Sequence, residues 1–196
     1  MKIVVKAICC GLVIAMMLSM TGFCGACEDI RKEVFRLHIL ANSDSEEDQE
    51  LKLKVRDAVL EYTEELFLEC QNRDEAIGSA RANLERIRSF AEGIVRKYGY
   101  SYSVDASVVN MCFDTRIYDE VTLPAGRYDA LRIVIGEGKG HNWWCVLYPA
   151  MCLSASKGNE LSGVVNEGEK DIINDSDKYT VKLKVVEWFE YFCSLF

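Results

Sequence analysis

The chain reads as an α+β protein: an N-terminal strand and a helical hairpin packed on an antiparallel sheet, closing on a short C-terminal helix. Three observations predict this. Apolar residues alternate around Phe35–Ile39 and again after Gly99, the period of a strand with one buried face. Between those stretches they recur at three- and four-residue intervals, the period of a helix with one apolar stripe. Hydrophobic residues make up 49% of the 196, with only two prolines, so a packed core is available and disorder along the whole length is excluded.

The first element is a leader. Lys2 and Lys6 precede an uncharged run from Ala7 to Phe23, which ends in the small residues Cys24, Gly25 and Ala26 before Glu28 and Asp29. That order suits a signal peptide over residues 1–26, cut after Ala26. The apolar run, about 17 residues, is at the lower edge of bilayer-spanning length, so an uncleaved anchor is the alternative. Under both readings residues 27–196 form a single domain that works outside the cytoplasm.

Phe35, Leu37 and Ile39 alternate with Arg36 and His38 as a half-buried strand, ended by the polar turn Ala41–Ser45. Ser43 with Glu46, and Ser45 with Asp48, have the spacing of helix-capping pairs. A long helix follows, with Leu51, Val55, Ala58, Val59, Tyr62 and Leu66 on its core face. Asn72-Arg73-Asp74 breaks it, and a second helix is expected from about Asp74 to Tyr98, stopped at Gly99. After Gly99, strands are expected over Tyr100–Val108, Val109–Asp114 and Arg127–Ile135, the last introduced by the turn Pro124-Ala125-Gly126. Gly136–Gly140 reads as a mobile hairpin connection into the apolar stretch His141–Pro149. Residues 154–177 read as a polar loop, Lys178–Lys184 as another strand, and the aromatic tail with Val185, Trp188, Phe189 and Phe192 as helix.

Charge and cysteine content narrow the function classes. The balance of 23 basic to 31 acidic residues, and a pI near 4.9, oppose binding to a nucleic-acid phosphate backbone. Six cysteines follow Ala26, and Cys145 with Cys152 encloses a tight loop that a disulfide would close in an oxidising compartment; buried free thiols are the alternative. Zinc is disfavoured, because the six cysteines after Ala26 include no C-x-x-C pair and the only histidines are His38 and His141. The Gly136-x-Gly-x-Gly140 run matches neither a P-loop nor a dinucleotide fingerprint, and the acidic turn at Asn42–Asp48 lacks calcium-loop spacing. No nucleophile, base and orienting group meet in a recognisable pattern, so no catalytic residue, metal or cofactor is assigned. The adjacent Trp143 and Trp144 lie on a strand and therefore point to opposite faces, which offers one of them to a partner.

Two blocks of residues carry a family resemblance. The first is Leu37-His38-Ile39-Leu40-Ala41-Asn42-Ser43-Asp44-Ser45 with Asp48-Gln49, Leu51-Lys52 and Val55-Arg56-Asp57. The second is Pro124-Ala125-Gly126, Tyr128 and the run Ile135–Pro149, with Cys152. Both resemble stage II sporulation protein R, in the right order and behind a leader; Ala150 stands where the family commonly has a second proline.

The resemblance implies an exported signalling protein of endospore-forming bacteria. It would be secreted from the forespore into the intermembrane space, or stay membrane-associated through an uncleaved leader. Its implied partner is a membrane-embedded aspartic protease of the mother cell, which then processes a sigma-factor precursor; no nucleic acid and no small-molecule substrate is implied. The expected receptor-binding residues are Asn42, Ser43, Asp44, Asn142, Trp143 and Trp144, with Trp143 or Trp144 as the aromatic anchor. An extracytoplasmic cell-wall hydrolase is the competing reading from the residues.

Overall fold

The computed structural model describes residues 2–118, 121–149, 165, 167–174 and 176–194. In chain order the elements are α1 (Lys2–Glu33), β1 (Phe35–Leu40), α2 (Glu46–Phe67), α3 (Arg73–Ala82), α4 (Leu84–Lys97), β2 (Val104–Phe113), β3 (Arg116–Tyr118), β4 (Val121–Leu123), β5 (Gly126–Ile135), β6 (Asn142–Tyr148), α5 (Glu167–Asn174) and α6 (Ser176–Ser194). They fall into two compact units. One comprises residues 1–31, 113–126 and 165–196, and the other residues 32–112 and 127–164.

The second unit carries the four-stranded sheet, in the order β2-β5-β1-β6. β1 runs parallel to β5 and antiparallel to β6, so the sheet is mixed within an α+β architecture. One face is packed by the helices. Phe35, Leu37 and Ile39 of β1 and Leu131, Ile133 and Ile135 of β5 meet Leu51, Val55 and Val59 of α2 and Ile87, Ala91 and Val95 of α4, all buried. Burial of aliphatic side chains of this size stabilises by about 1.5–3 kcal/mol each before chain entropy is counted.

The half-buried reading of β1 is corrected. Arg36 and His38, on the opposite face, are also buried, as are Tyr128 and Val146 beside them. β1 is central in the sheet, and residues on both of its faces are buried. The Arg36 guanidinium lies 4.8 Å above the Tyr128 ring. His38 stacks on Trp144 with ring centroids 3.9 Å apart.

Several boundaries differ from the sequence-based expectations. The second helix is two helices: Asn83 leaves helical geometry at φ −111°, and its side chain donates to the Ser79 carbonyl, an interaction that competes with the helix ladder. Asn72 starts α3 by accepting from the Glu75 N–H. The two strands expected from Tyr100 to Asp114 are one strand, β2.

In the first unit, β3 and β4 form an antiparallel pair that the sequence reading did not place. Glu167–Asn174, expected within a polar loop, is the helix α5. Lys178–Lys184, expected as a strand, lies within α6, where Leu183 and Val186 are buried at a helical interval while Val181 is 76% exposed. Trp188 of the aromatic tail is helical as expected but faces solvent. Residues 2–26, within the expected leader, form the greater part of α1, a helix unbroken through Ala26 to Glu33. Phe23, Cys27 and Ile30 are its buried residues, and burial pushes the Cys27 thiol up to about 12. Among the described residues, no helix is long and apolar enough to cross a membrane.

Candidate functional site

The two motif blocks meet at one end of the sheet. β1 ends at Leu40 and turns through Ala41–Ser45 into α2. β5 ends at Ile135 and passes over that turn to reach β6, on the far side of β1. The glycine run is therefore a crossover and not a hairpin connection, and it is tied down rather than mobile.

Three of its backbone N–H groups, and that of His141 just after it, donate into the turn. Glu137 N–H donates to Asn42 Oδ1 at 3.0 Å, and Lys139 N–H to the Asn42 carbonyl at 3.1 Å. Gly140 N–H donates to the Ala41 carbonyl at 3.0 Å, and His141 N–H to Asp44 Oδ1 at 2.6 Å. The glycines have separate reasons. Gly136 and Gly138 take φ of 59° and 63°, the left-handed region that favours glycine. A Cβ on Gly140 would lie 2.1 Å from the Ser43 carbonyl oxygen, so only glycine permits that approach.

The turn is braced from below by α2. Ser45 is the N-cap, its hydroxyl accepting from the Asp48 N–H; Ser43, the other expected cap, instead donates to Asp48 Oδ2 at 2.6 Å. Asn42 Nδ2 donates to the same oxygen at 2.8 Å. Burial pushes the Asp48 carboxyl up, but the hydrogen bonds from Ser43, Asn42 and Tyr102 outweigh it and leave the group below the usual aspartate range.

Lys52, one turn further along α2, is also buried. Its ammonium donates to Gln49 Oε1 at 2.5 Å and to the His141 carbonyl at 3.0 Å, and so bridges the two blocks. Burial lowers its pKa, with Asp44 opposing and Arg56 adding to the effect.

On this frame the predicted residues are presented unequally. Asn42 and Ser43 are half-buried and committed to the turn, whereas Asp44 is exposed, with His141 Nδ1 2.5 Å from its carboxylate. Asn142 is exposed. Trp143 lies on the helix side of β6, 36% exposed, with the Arg56 guanidinium 4.3 Å from its ring centroid. Trp144 points to the other face, half-buried on His38. Cys145 is buried and disulfide-bonded, and Cys152 lies outside the described residues. Ala26 is half-buried within α1, in the first unit.

The site residues that sequence reasoning passed over are Asp48, Lys52, Arg56 and His141. Their signal was present, because Asp48, Lys52 and Arg56 recur every four residues along α2 beside the apolar stripe, where a merely solvated charge has no reason to sit.

The fold and site together define an α+β protein with a rigid polar turn–loop surface, an exposed tryptophan at its rim and a buried disulfide-bonded cysteine. The family model for stage II sporulation protein R matches residues 31–158, and the chain belongs to that family. It is 38% identical over 123 residues to stage II sporulation protein R of Bacillus subtilis (strain 168), a match over 63% of this chain and 55% of that protein. The chain thus matches little more than half the length of this relative. No solved structure matches.

Proposed function

We propose that the protein is an exported sporulation signal that activates a membrane-embedded aspartic protease of the mother cell, leading to processing of a sigma-factor precursor. Residues 1–26 direct export and are removed after Ala26, and the remaining chain acts in the intermembrane space. It works as a protein ligand and breaks no bond itself. The observation that supports this reading is that both family motifs converge on one latched edge, where Asp44, His141, Asn142 and Trp143 are exposed. A ligand activates only by binding the active state of its receptor more tightly than the inactive state. A surface fixed by backbone hydrogen bonds loses little freedom on binding, which suits that task.

Trp143 is the anchor in this reading, with Asn42 and Ser43 holding Asp44 in place. Trp144 supports the surface from behind through its stack on His38. Pairing of Cys145 with Cys152 would fix the chain that leaves β6.

The test is deletion in the native host, complemented with wild-type or Trp143→Ala protein, and a blot for the sigma-factor precursor. Deletion is expected to leave the precursor unprocessed. Trp143→Ala is expected to cut processing by about tenfold or more while the protein stays folded and exported. Normal processing with Trp143→Ala removes this residue from the contact, and normal processing in the deletion strain overturns the function.

A further inference from the structure

The first unit contains an open groove of about 560 Å³ between α1 and the α5–α6 pair, where Gly22, Gly25 and Ala26 face Ile172, Tyr179 and Lys182. The leader holds this groove by its edges. Phe23 is buried with its ring 5.6 Å from the Tyr179 ring, and the Lys182 ammonium donates to Ser19 Oγ at 2.8 Å and lies 5.5 Å from the Phe23 centroid. Between these contacts the groove is open to solvent, and a Cβ built on Gly22 or on Gly25 meets nothing within 4 Å. Ser19 and Phe23 both precede Ala26. Removal of residues 1–26 therefore takes away both edge contacts, while Ile172, Tyr179 and Lys182 remain on the processed chain.

We propose that the α5–α6 groove is a helix-docking site for the receptor, occupied in the unprocessed chain by its own leader and opened when residues 1–26 are removed. This rests on the export-and-receptor reading above. The fitting partner is an apolar helix with an aromatic ring where Phe23 sits, an oxygen acceptor for Lys182, and bulkier side chains where the leader has Gly22 and Gly25. Such a helix covers groove surface that the leader leaves open to water, and burial of that extra apolar area favours it. While attached, the leader competes through its high effective concentration; once cut, that advantage is gone and the better-fitting helix takes the site.

The test uses a fluorescent synthetic peptide of residues 18–29, titrated by anisotropy against the exported chain and against the full-length chain. Saturable binding to the exported chain and none to the full-length chain is expected. Phe23→Ala in the peptide should weaken binding about tenfold or more, and Gly22→Leu should tighten it severalfold. Because the substitutions are in the peptide, folding of the protein is not in question. Absence of saturable binding to the exported chain, equal binding to both chains, or indifference to Phe23→Ala overturns the proposal. So does an intact mass showing residues 1–26 still present after export. Processing of the sigma-factor precursor is read separately, so this inference and the receptor reading fail independently.

Discussion

The turn–loop latch and the leader groove are built in opposite ways. In the latch, nearly every donor meets an acceptor. Backbone N–H groups of residues 137 and 139–141 enter the 41–44 turn, and Asp48 and Lys52 close it from beneath. At the groove, Phe23 and Ser19 make edge contacts beside space that is open to solvent. Both regions use glycine. At Gly140 the missing side chain permits backbone contact, whereas at Gly22 and Gly25 it leaves open space. Glycine thus marks a tight joint in one place and a slack one in the other, and the neighbours decide which.

Substitution sharpens that contrast. The largest effect is expected at Asp48→Ala, which strands the donors of Asn42, Ser43 and Tyr102. A loss of about 4 kcal/mol in urea unfolding is expected, as for two or more hydrogen bonds to a buried charged group. A loss under about 1 kcal/mol, the range of exposed polar contacts, would mean that the latch is not a structural joint.

Acid should weaken the second unit next. Burial lowers the His38 pKa to about 4, Arg132 adds to this and Asn142 opposes it. The unfolded chain takes a proton on this residue near pH 6.5 and the folded chain only near pH 4, so the unfolded state binds more protons between them. The His38 contribution is complete above pH 6.5 and falls by up to about 3 kcal/mol as pH drops to 4. His38→Phe should flatten that dependence, as measured by urea unfolding at pH 7 and pH 5; an unchanged slope would place the acid sensitivity elsewhere.

Gly140→Ala follows, at a cost of about 2 kcal/mol, because its Cβ meets the Ser43 backbone and the loop has to lift. The smallest effect is at the groove, where Gly22→Ala should be neutral or stabilising by up to about 1 kcal/mol in thermal unfolding of the full-length chain. A substantial loss there would show that the leader is closely packed after all and end the contrast.

What could be read from sequence divides along the same line. β1, α2 and β5 were legible, because each has a local period that marks the face it turns to the shared core. The α6 segment was not. Tyr179, Val181 and Leu183 alternate over so short a window that strand and helix are both satisfied, and only burial of Leu183 with Val186 decides. Asn83 looked like one polar residue inside a helical pattern, and its capture of the Ser79 carbonyl became visible only in three dimensions. The glycine loop was misread for a related reason. Its φ requirements are local, but the turn that pins it lies some 95 residues earlier in the chain. Burial of His38 was hidden in the same way, since alternation assigns faces within a strand but does not reveal that a central strand has both faces covered.

The most direct measurement of the central claim is site-specific photo-crosslinking in sporulating cells, with the crosslinking residue placed at Trp143 or, as a control, at the exposed Asn110 of β2. The account predicts a crosslink from position 143 to the membrane-embedded protease and none from position 110. A protease adduct from position 110 alone, with precursor processing intact, would contradict it.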